Sequence, residues 1–435
     1  MGGKASLYMI LGFSLIFMVA GYNFSSLSNR AVNNEVEYFY ENKAHDIAVS
    51  GANMGANAVF FNKTWTAGYH NISFNGGTMD VSVTNLPGDQ IKITSIGDYG
   101  TYKSYPVRDT VSILLRPSSF AKFGYYMNIF PSNMFFYTGD TLSGPFHTQQ
   151  TLYTQGTPVF NGKASAKNGW VNNDTHRPKW NPVFIGGLET GIDIPLPSDL
   201  SSTKAAAYAG GKVFTPAPYR QIDVRLTFNA NGTVTFNTRN TGSYSWSADS
   251  TRQLSTWAPN GVIYVDKGNI YVSGTVNGRY TIVADKNGGS NSGTVYLEDD
   301  VVYHDPVVYN ASDHTWEVQG NDALGIVSTG YIKIEDNSAN RNNIVIHGAL
   351  FSLTAGLTLE NTSMPASGYI RLVGGLTENQ AQVTGVIDRY GRLVNGYNER
   401  ISFDQRFRNS APPYYPTTGA LEVVSWFETT WYPRG

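Results

Sequence analysis

The sequence predicts a mainly β protein with one long N-terminal α-helix, and three observations lead to that fold class. Residues 6–24 contain no charge, and about 20 such residues are what a bilayer core requires of a spanning helix. Beyond this segment, apolar residues recur at steps of three and four as far as Ala58, which is the period of an amphipathic helix. From Phe60 onward the period becomes two, and short β-branched runs alternate with Gly and Asn.

The composition excludes several functional classes. Among 435 residues there are 31 Lys and Arg and 33 Asp and Glu, so the formal net charge is -2 and no broad basic field is available for nucleic acid. The chain has no Cys, which excludes disulfides, thiol nucleophiles and Cys-ligated metals. Abundant Tyr, Gly and Asn are typical of an exported protein rich in β strands and turns.

The first predicted domain, residues 1–60, is a transmembrane and amphipathic helix. At about 1.5 Å per residue, the stretch from Ser6 to Ala58 would be about 80 Å long. Its second half carries an apolar stripe for a globular domain: Val32, Val36, Tyr40, Ala44, Ile47, Gly51, Met54 and Ala58. We assign the helix contacts of an assembly to Leu7, Leu11, Leu15, Val19, Gly12, Gly21, Val32 and Val36, where the small residues permit close approach.

The N-terminal residues resemble type IV pilins and related pseudopilins. Gly3-Lys4-Ala5-Ser6-Leu7 is similar to their short basic leader, and the Ala48, Ala52 and Ala56 steps are similar to their small-residue spine. The resemblance implies cleavage near Gly3. The fifth residue after that cut is Tyr8, where major pilins carry Glu, which favours a minor or tip subunit over the main filament subunit.

Three other interpretations of the apolar segment stay open. It can be a cleaved secretory signal with small residues Val19 and Gly21 at the cleavage site, a plain single-pass anchor, or the core helix of a soluble domain. Lys4 before the segment and acidic residues after it, of which Glu35 is the first, predict an N-terminus in the cytoplasm. The remaining chain would then lie in the periplasm or outside the cell.

The β part of the chain is predicted as three regions. Residues 61–117 form a small antiparallel sheet packed on the helix, with a turn at Asn75-Gly76-Gly77. Residues 118–405 form an irregular parallel β-helix, or β-solenoid, with an insertion at about 165–259. Residues 406–435 form a closing segment that caps the solenoid. Gly51 and Gly55 inside the helix predict close packing against it, because each costs roughly 1 kcal/mol relative to Ala.

Four stretches resemble an uncharacterised bacterial domain family found behind pilin-like N-termini. They are Gly144-Pro-Phe-His147-Thr, the run from Asn260 to Arg279, Glu298-Asp-Asp-Val-Val-Tyr-His-Asp-Pro306 and Arg408-Asn-Ser-Ala-Pro-Pro-Tyr-Tyr-Pro416. The region from the first of these stretches to the last spans about two-thirds of the chain. This resemblance implies a solenoid-like exported domain in a surface or pilus-assembly context, and it brings no established catalytic residues.

Ionisable residues concentrate in one predicted strand. Glu298, Asp299 and Asp300, followed by His304, offer oxygen ligands for Ca²⁺ or a carboxylate pair for polysaccharide cleavage. Alternation along a strand divides the three carboxylates between two faces, which favours a structural role. His147 and His347 are each expected to make a turn-stabilising hydrogen bond. The sequence contains no nucleophile elbow, zinc-protease or phosphate-loop motif, so we expect no cofactor, no metal and no catalysis.

Taken together, these patterns predict a pilin-like structural or adhesive subunit of a type IV filament or pseudopilus system. Its expected partners are other pilin subunits through the helix, inner-membrane lipid before assembly, and a surface glycan. The alternative is a membrane-anchored surface β-helix protein that binds or cleaves polysaccharide, with aromatic side chains such as Trp246 and Trp316 stacking on sugar rings.

Overall fold

The computed structural model describes residues 2–86, 90–131, 134–310, 315–387 and 393–430. The chain divides into two compact units, one comprising Met1–Pro117 and Ala420–Gly435 and the other Ser118–Gly419. We call them the helix unit and the ladder unit. Because the chain leaves the helix unit at Pro117 and returns at Ala420, that unit is built from segments far apart in sequence.

The helix unit begins with one continuous helix, α1 (Gly2–Phe61), which confirms the predicted long N-terminal helix. No Pro interrupts this stretch, and its β-branched residues are isolated rather than clustered. Asn62 ends the helix: its backbone N–H bonds to the Ala58 carbonyl oxygen at 2.9 Å, and its side-chain oxygen accepts the Thr64 N–H at 3.1 Å. Asn favours such ends because its side chain competes with helical backbone hydrogen bonds.

An antiparallel sheet packs on the C-terminal half of α1, as predicted. Its first four strands are β1 (Tyr69–Phe74), β2 (Gly77–Leu86), β3 (Gln90–Tyr102) and β4 (Tyr105–Ser119). Buried and exposed residues alternate along β2, β3 and β4, so one face is apolar. The contact is formed by Ile47, Ala48, Ala52 and Val59 of α1 and by Met79, Val81, Ile91, Ile93, Val111, Ile113 and Leu115 of the strands.

Glycines bring the helix and the sheet close together. A Cβ atom at Gly97 in β3 would lie 2.6 Å from the Ala48 nitrogen of α1 and would also collide with the Ala44 carbonyl oxygen. A Cβ atom at Gly55 in α1 would lie 2.8 Å from a methyl group of Val81. Real Cβ atoms do not approach other atoms so closely. The absence of a side chain at these glycines therefore allows the short distance between the helix and the sheet. The close packing predicted at Gly55 is confirmed.

The ladder unit consists mainly of short strands. They are β5 (Tyr125–Ile129), β6 (Thr141–Leu142), β7 (Phe146–Thr148), β8 (Leu152–Thr154), β9 (Val159–Phe160), β10 (Ala164–Ala166), β11 (Trp170–Asn172), β12 (Val183–Phe184), β13 (Leu188–Thr190), β14 (Lys212–Phe214), β15 (Ile222–Asn229), β16 (Thr233–Asn240), β17 (Ser250–Gln253), β18 (Val262–Val265), β19 (Gly268–Val276), β20 (Arg279–Ala284), β21 (Val295–Tyr303), β22 (Val307–Asn310), β23 (Thr315–Val318), β24 (Ala323–Ser328), β25 (Ile332–Ile334), β26 (Ile344–Ser352), β27 (Leu357–Leu359), β28 (Ala366–Gln380), β29 (Gly385–Ile387) and β30 (Leu393–Phe403). Helices α2 (Ser201–Gly210) and α3 (Leu254–Trp257) and 3-10 turns at Phe120–Lys122, Ala339–Arg341 and Gln405–Arg408 complete it.

Most of these strands pair in parallel rows. The principal row runs in the order β14, β18, β20, β24, β26, β28, β5, β7, β10 and β13, and each neighbouring pair in it is parallel. A second parallel row contains β15, β19, β21, β25 and β27. From β18 to β21 and from β24 to β28, successive strands alternate between the two rows. The parallel pairing agrees with that part of the sequence prediction.

Two runs of chain meet inside the principal row, between β28 and β5. Strands β5, β7, β10 and β13 lead away from this point in chain order, whereas β14 to β28 lead towards it. The meeting pairs Leu376 with Tyr125 and Gln380 with Ile129. Asn128 also donates a side-chain hydrogen bond of 2.7 Å to Asn379, which is 251 positions away. No local pattern predicts such a contact.

Both faces of the principal row are buried in its central part. All four residues of β18 are inaccessible, as expected for a continuous apolar run in a parallel sheet. One face belongs to a core of aliphatic side chains such as Ile326 and Leu350. The other face is covered by aromatic residues from the first and last segments of the ladder unit, including Phe120, Phe407 and Tyr415.

The structure corrects the predicted insertion at 165–259. Strands β13, β14 and β15 lie within that range, and all three pair in parallel with the rows described above. Strands β15 and β16 form an antiparallel hairpin, and β15 also pairs in parallel with β19. Leu196, also within the predicted insertion, packs against the aromatic cluster of the ladder unit.

The predicted closing segment, 406–435, is divided between the two units. Residues 405–416 lie on the ladder, where Arg279 donates a hydrogen bond of 2.6 Å to the Ala411 carbonyl oxygen. The last strand, β31 (Thr417–Thr430), instead joins the antiparallel sheet next to β4. There the Arg116 guanidinium pairs with the Glu422 carboxylate at 2.7 Å. Residues 431–435 lie outside the described residues.

We expect Gly97→Ala to loosen the helix–sheet contact and to destabilise the helix unit by roughly 1–3 kcal/mol, because the new methyl group must displace α1 backbone. Hydrogen–deuterium exchange of the full chain in detergent should become faster in residues 44–52 and 91–97. Gly21→Ala is the matched control, because a Cβ atom there has no neighbour within 4 Å. Equal exchange in both variants would contradict the steric argument.

Candidate functional site

The N-terminal part of α1 is an exposed apolar surface. From Leu7 to Phe24, the large apolar side chains are between 53% and 76% exposed. The segment Lys4–Phe61 contains a window long and apolar enough to cross a membrane, and none of that window is buried. Such a surface is unstable in water and therefore needs lipid or protein around it.

The residues that the sequence assigned to assembly lie on this surface without partners among the described residues. Leu7, Leu11, Leu15 and Val19 follow one another at four-residue spacing and are 61%, 58%, 55% and 57% exposed. Cβ atoms at Gly12 and Gly21 would have no neighbour within 4 Å, so both glycines leave room for another helix. Val32 and Val36, further along, are also exposed. Their role in assembly stays a prediction.

The turn between β3 and β4 marks where α1 becomes covered. The centre of the Tyr40 ring on the helix lies 5.2 Å from the centre of the Tyr99 ring and 5.4 Å from that of the Tyr102 ring. The Tyr102 hydroxyl donates a hydrogen bond of 3.0 Å to the Asn33 carbonyl oxygen. Nine residues separate Phe24 from Asn33, which corresponds to about 13 Å of helix. The uncharged segment therefore ends shortly before the sheet begins to cover α1.

A polar contact fixes α1 on the sheet. His45 Nδ1 lies 2.6 Å from a carboxylate oxygen of Asp109, whose side chain is 1% exposed. Burial, followed by the charges of Glu37 and Asp109, raises the pKa of Glu41 on the same helix. The buried carboxylate at Asp109 needs this partner, so the contact sets the register of the helix on β4.

The acidic residues that the sequence singled out have different partners in the structure. Glu298 pairs with Arg225 at 2.7 Å, and Asp300 accepts the Val345 N–H at 2.7 Å. Asp299 accepts only the N–H of its neighbour among the described contacts. Each carboxylate therefore has a different structural partner, and the expected division of the three between two faces stays a prediction.

His304 lies instead in a cluster with Asp305 and Asp322, whose ligand atoms are within 4.8 Å of one another. Sequence reasoning missed Asp322, which is 17 residues beyond Asp305 in the chain. Both carboxylates accept backbone N–H groups: Asp305 accepts from Asn321 at 2.6 Å, and Asp322 accepts from Gly278 at 2.6 Å. These bonds explain the cluster as a structural contact that joins three loops.

His147 and His347 are buried and hydrogen-bonded. His147 Nδ1 lies 2.8 Å from the Ser165 hydroxyl, and His347 Nδ1 accepts the Tyr303 N–H at 3.0 Å. Burial lowers the pKa of each to about 4, so both are neutral at pH 7. Their bonds hold neighbouring strands together, and the sequence had expected such bonds in turns.

A buried acid that sequence reasoning missed lies where the two runs of the ladder meet. Glu378 is 2% exposed, accepts the Tyr125 hydroxyl hydrogen at 2.6 Å and accepts the Leu357 N–H at 3.2 Å. Burial, and after it the charge of Glu399, raises the pKa of Glu378 to about 8. The sequence could not predict this hydrogen bond, because Tyr125 and Glu378 are 253 positions apart.

No family model and no curated protein matches the chain. Among solved structures, the chain is similar to the competence-associated pilin ComZ from Thermus thermophilus at 12% identity and a TM-score of 0.39, over 90% of this chain and 98% of that one. A similarity at this level shows nothing about function.

We expect the ladder unit to lose stability as the pH rises from about 4.5 to about 8. Glu378 in the unfolded chain releases its proton near the ordinary pKa of 4.5, whereas the folded chain keeps it until about 8. The raised pKa therefore favours folding fully below pH 4.5, and this contribution is lost by about pH 8, on the order of 4 kcal/mol.

Glu378→Gln should remove this pH dependence and should stabilise the ladder unit at pH 8.5, because the amide cannot ionise. Denaturant unfolding of the full chain at pH 5 and pH 8.5 measures the difference. The control is Glu317→Gln, because Glu317 is exposed and accepts a bond from Asn310 that Gln can also accept. Parallel pH curves for the wild type and Glu378→Gln would show that Glu378 does not control this dependence.

Proposed function

We propose that the chain is a pilin-like, non-enzymatic structural or adhesive subunit of a type IV filament or pseudopilus system. One observation carries the proposal: a continuous helix of 60 residues has an apolar half that is exposed and a second half that is packed on an antiparallel sheet. The second half fixes the position of the helix, and the first half is left to contact other molecules.

The apolar half has two successive partners in this proposal. Covering one large aliphatic or aromatic side chain contributes about 1.5–3 kcal/mol, so a surface of this length is driven strongly into lipid. Lipid supplies the cover before assembly, with Lys4 on the cytoplasmic side and the folded units on the outer side. Helices of other subunits then replace lipid in the filament, where Gly12 and Gly21 allow backbones to approach.

The ladder unit is the surface-exposed part of the subunit in this proposal. We infer that it is an irregular parallel β-helix, because successive strands alternate between parallel rows around a shared aliphatic core. A structural role for its ionisable side chains is supported by their contacts, since Glu298, Asp300 and Asp322 each hold a residue of the same unit.

A glycan partner stays a prediction. Tyr271 and Tyr296 lie on the outside of the second row, and their rings stack with centres 4.5 Å apart and planes at 8° to each other. Arg239 covers Tyr271 and also lies 4.2 Å from the centre of the Trp246 ring. These rings use their faces within the protein, so a sugar would have to bind at their edges or elsewhere.

Deletion of residues 7–20 should move the protein from membranes into the soluble fraction while both units stay folded. The deleted residues are exposed and contribute no side chain to the helix–sheet core. Membrane fractionation, with circular dichroism of the soluble product, provides the measurement. The undeleted chain is the control, and a truncated protein that stays in the membrane pellet would contradict the proposed anchor. A mature N-terminus at Tyr22 in protein from the native host would favour a cleaved signal instead.

Val32→Lys with Val36→Lys should prevent filament entry while leaving membrane anchoring unchanged. Both residues lie beyond the uncharged segment, so their charge does not have to enter lipid, but it would have to be buried between packed helices. Sheared filaments and membrane fractions are compared by immunoblot. Asn34→Lys, on a different side of the same turn, is the control for added charge. Normal filament entry of the double variant would exclude this face from assembly.

A further inference from the structure

The end of β31 is an uncovered strand at the edge of the five-stranded sheet. The order of strands in the described part of this sheet is β1, β2, β3, β4 and β31, so β31 has a neighbour on one side only. Val423, Val424, Trp426 and Phe427 are 59%, 43%, 40% and 62% exposed. A 14-residue strand with apolar residues exposed on both faces is a template for another strand, because its edge presents unpaired backbone groups.

The opposite edge of the same sheet is protected in a way that β31 is not. β1 has only six residues, and its pairing with β2 shifts register between Tyr69 and Ile72, where Asn71 has a φ of 51°. Such an irregularity disrupts strand addition. Residues 420–430 contain no Lys, Arg or Pro, which are the residues that commonly block an edge.

The two carboxylates of this segment do not block the edge, because both are engaged within the sheet. Glu422 pairs with Arg116 on β4 at 2.7 Å. Glu428 accepts a hydrogen bond of 2.6 Å from Trp426 Nε1. Both side chains are therefore held by contacts in their own sheet, and their charges oppose an incoming strand only where another carboxylate lies directly opposite.

We propose that β31 pairs in an antiparallel manner with β31 of a second copy of this chain, with Val424 opposite Val424. A two-fold axis perpendicular to the sheet keeps the same face on the same side in both copies. In this register Leu421 lies opposite Phe427, and Glu422 lies opposite Trp426. Each Glu then faces an uncharged residue, and the apolar residues of one copy meet those of the other.

Charge selects this register over a neighbouring one. A two-fold axis at Ser425 would place Glu422 opposite Glu428, and like charges directly opposite one another destabilise a strand pair. The strand is thus complementary to itself, which is the property that a two-fold interface requires and that an unrelated partner has no reason to match. The interface uses the sheet edge and is independent of helix packing in a filament.

Single-cysteine cross-linking of the full chain in detergent tests the proposal, because the natural chain has no Cys. Opposite residues of an antiparallel pair have Cα atoms about 4.5–5.5 Å apart, which is within disulfide range. Val424→Cys should therefore form a disulfide-linked dimer under mild oxidation at micromolar concentration.

Val423→Cys is the matched control, because it is exposed on the same strand but lies opposite Ser425. Its two copies are diagonal neighbours at about 7–8 Å, which is beyond disulfide range. Cross-linking of Val424→Cys at least tenfold faster than Val423→Cys supports the proposed pairing. Equal rates, faster reaction of Val423→Cys, or no dimer from either variant overturns it.

A second measurement uses sedimentation of the same full chain without cross-linking. Val424→Lys would place two like charges opposite one another and should weaken dimer formation at least tenfold, whereas Val424→Thr should retain it. Both variants change an exposed side chain, so the fold is preserved in each. Unchanged dimer formation by Val424→Lys, or a wild-type chain that is monomeric throughout, overturns the proposal.

Discussion

The structure depends on where the apolar surface of α1 is covered. The sheet covers the helix from about Tyr40 onward, where the glycine at position 97 and the His45–Asp109 contact bring β strands close to its backbone. Residues 4–24 have no comparable cover in the described chain. Because exposed apolar area on this scale is costly in water, the position of the sheet along the helix decides which part of the helix is left for lipid or another protein to cover.

The ladder unit stabilises many short strands without disulfides. Strands of two to four residues are marginal alone, but parallel rows let each coil bury its branched residues against the next. The principal row is also covered on its outer face by aromatic residues from both ends of the unit, such as Phe120 and Tyr415. The buried acid Glu378 is tolerated because it accepts hydrogen bonds from the Tyr125 hydroxyl and the Leu357 N–H.

The return of the chain to the helix unit as β31 has two consequences, one for α1 and one for the edge of the sheet. β31 completes the sheet that holds α1, and the Arg116–Glu422 pair joins residues 306 positions apart. The same strand leaves an apolar edge open, so the helix unit carries one surface along α1 and another at the end of the sheet. Under the proposals made above, these two surfaces would make two different contacts between copies of the chain.

The sequence by itself determined the elements whose signal is local. The uncharged segment, the period of the helix, the alternation in β2 to β4 and the Gly and Asn turns follow from the side chains within a few residues of each other. It could not assign the strands within 165–259, the division of 406–435, the His304–Asp305–Asp322 cluster or the Tyr125–Glu378 bond. Those depend on which distant strand lies alongside, and short β-branched runs are nearly interchangeable until burial of both faces and the return of the chain select one partner. Tertiary structure alone therefore decided the order of the rows and the open edge of β31.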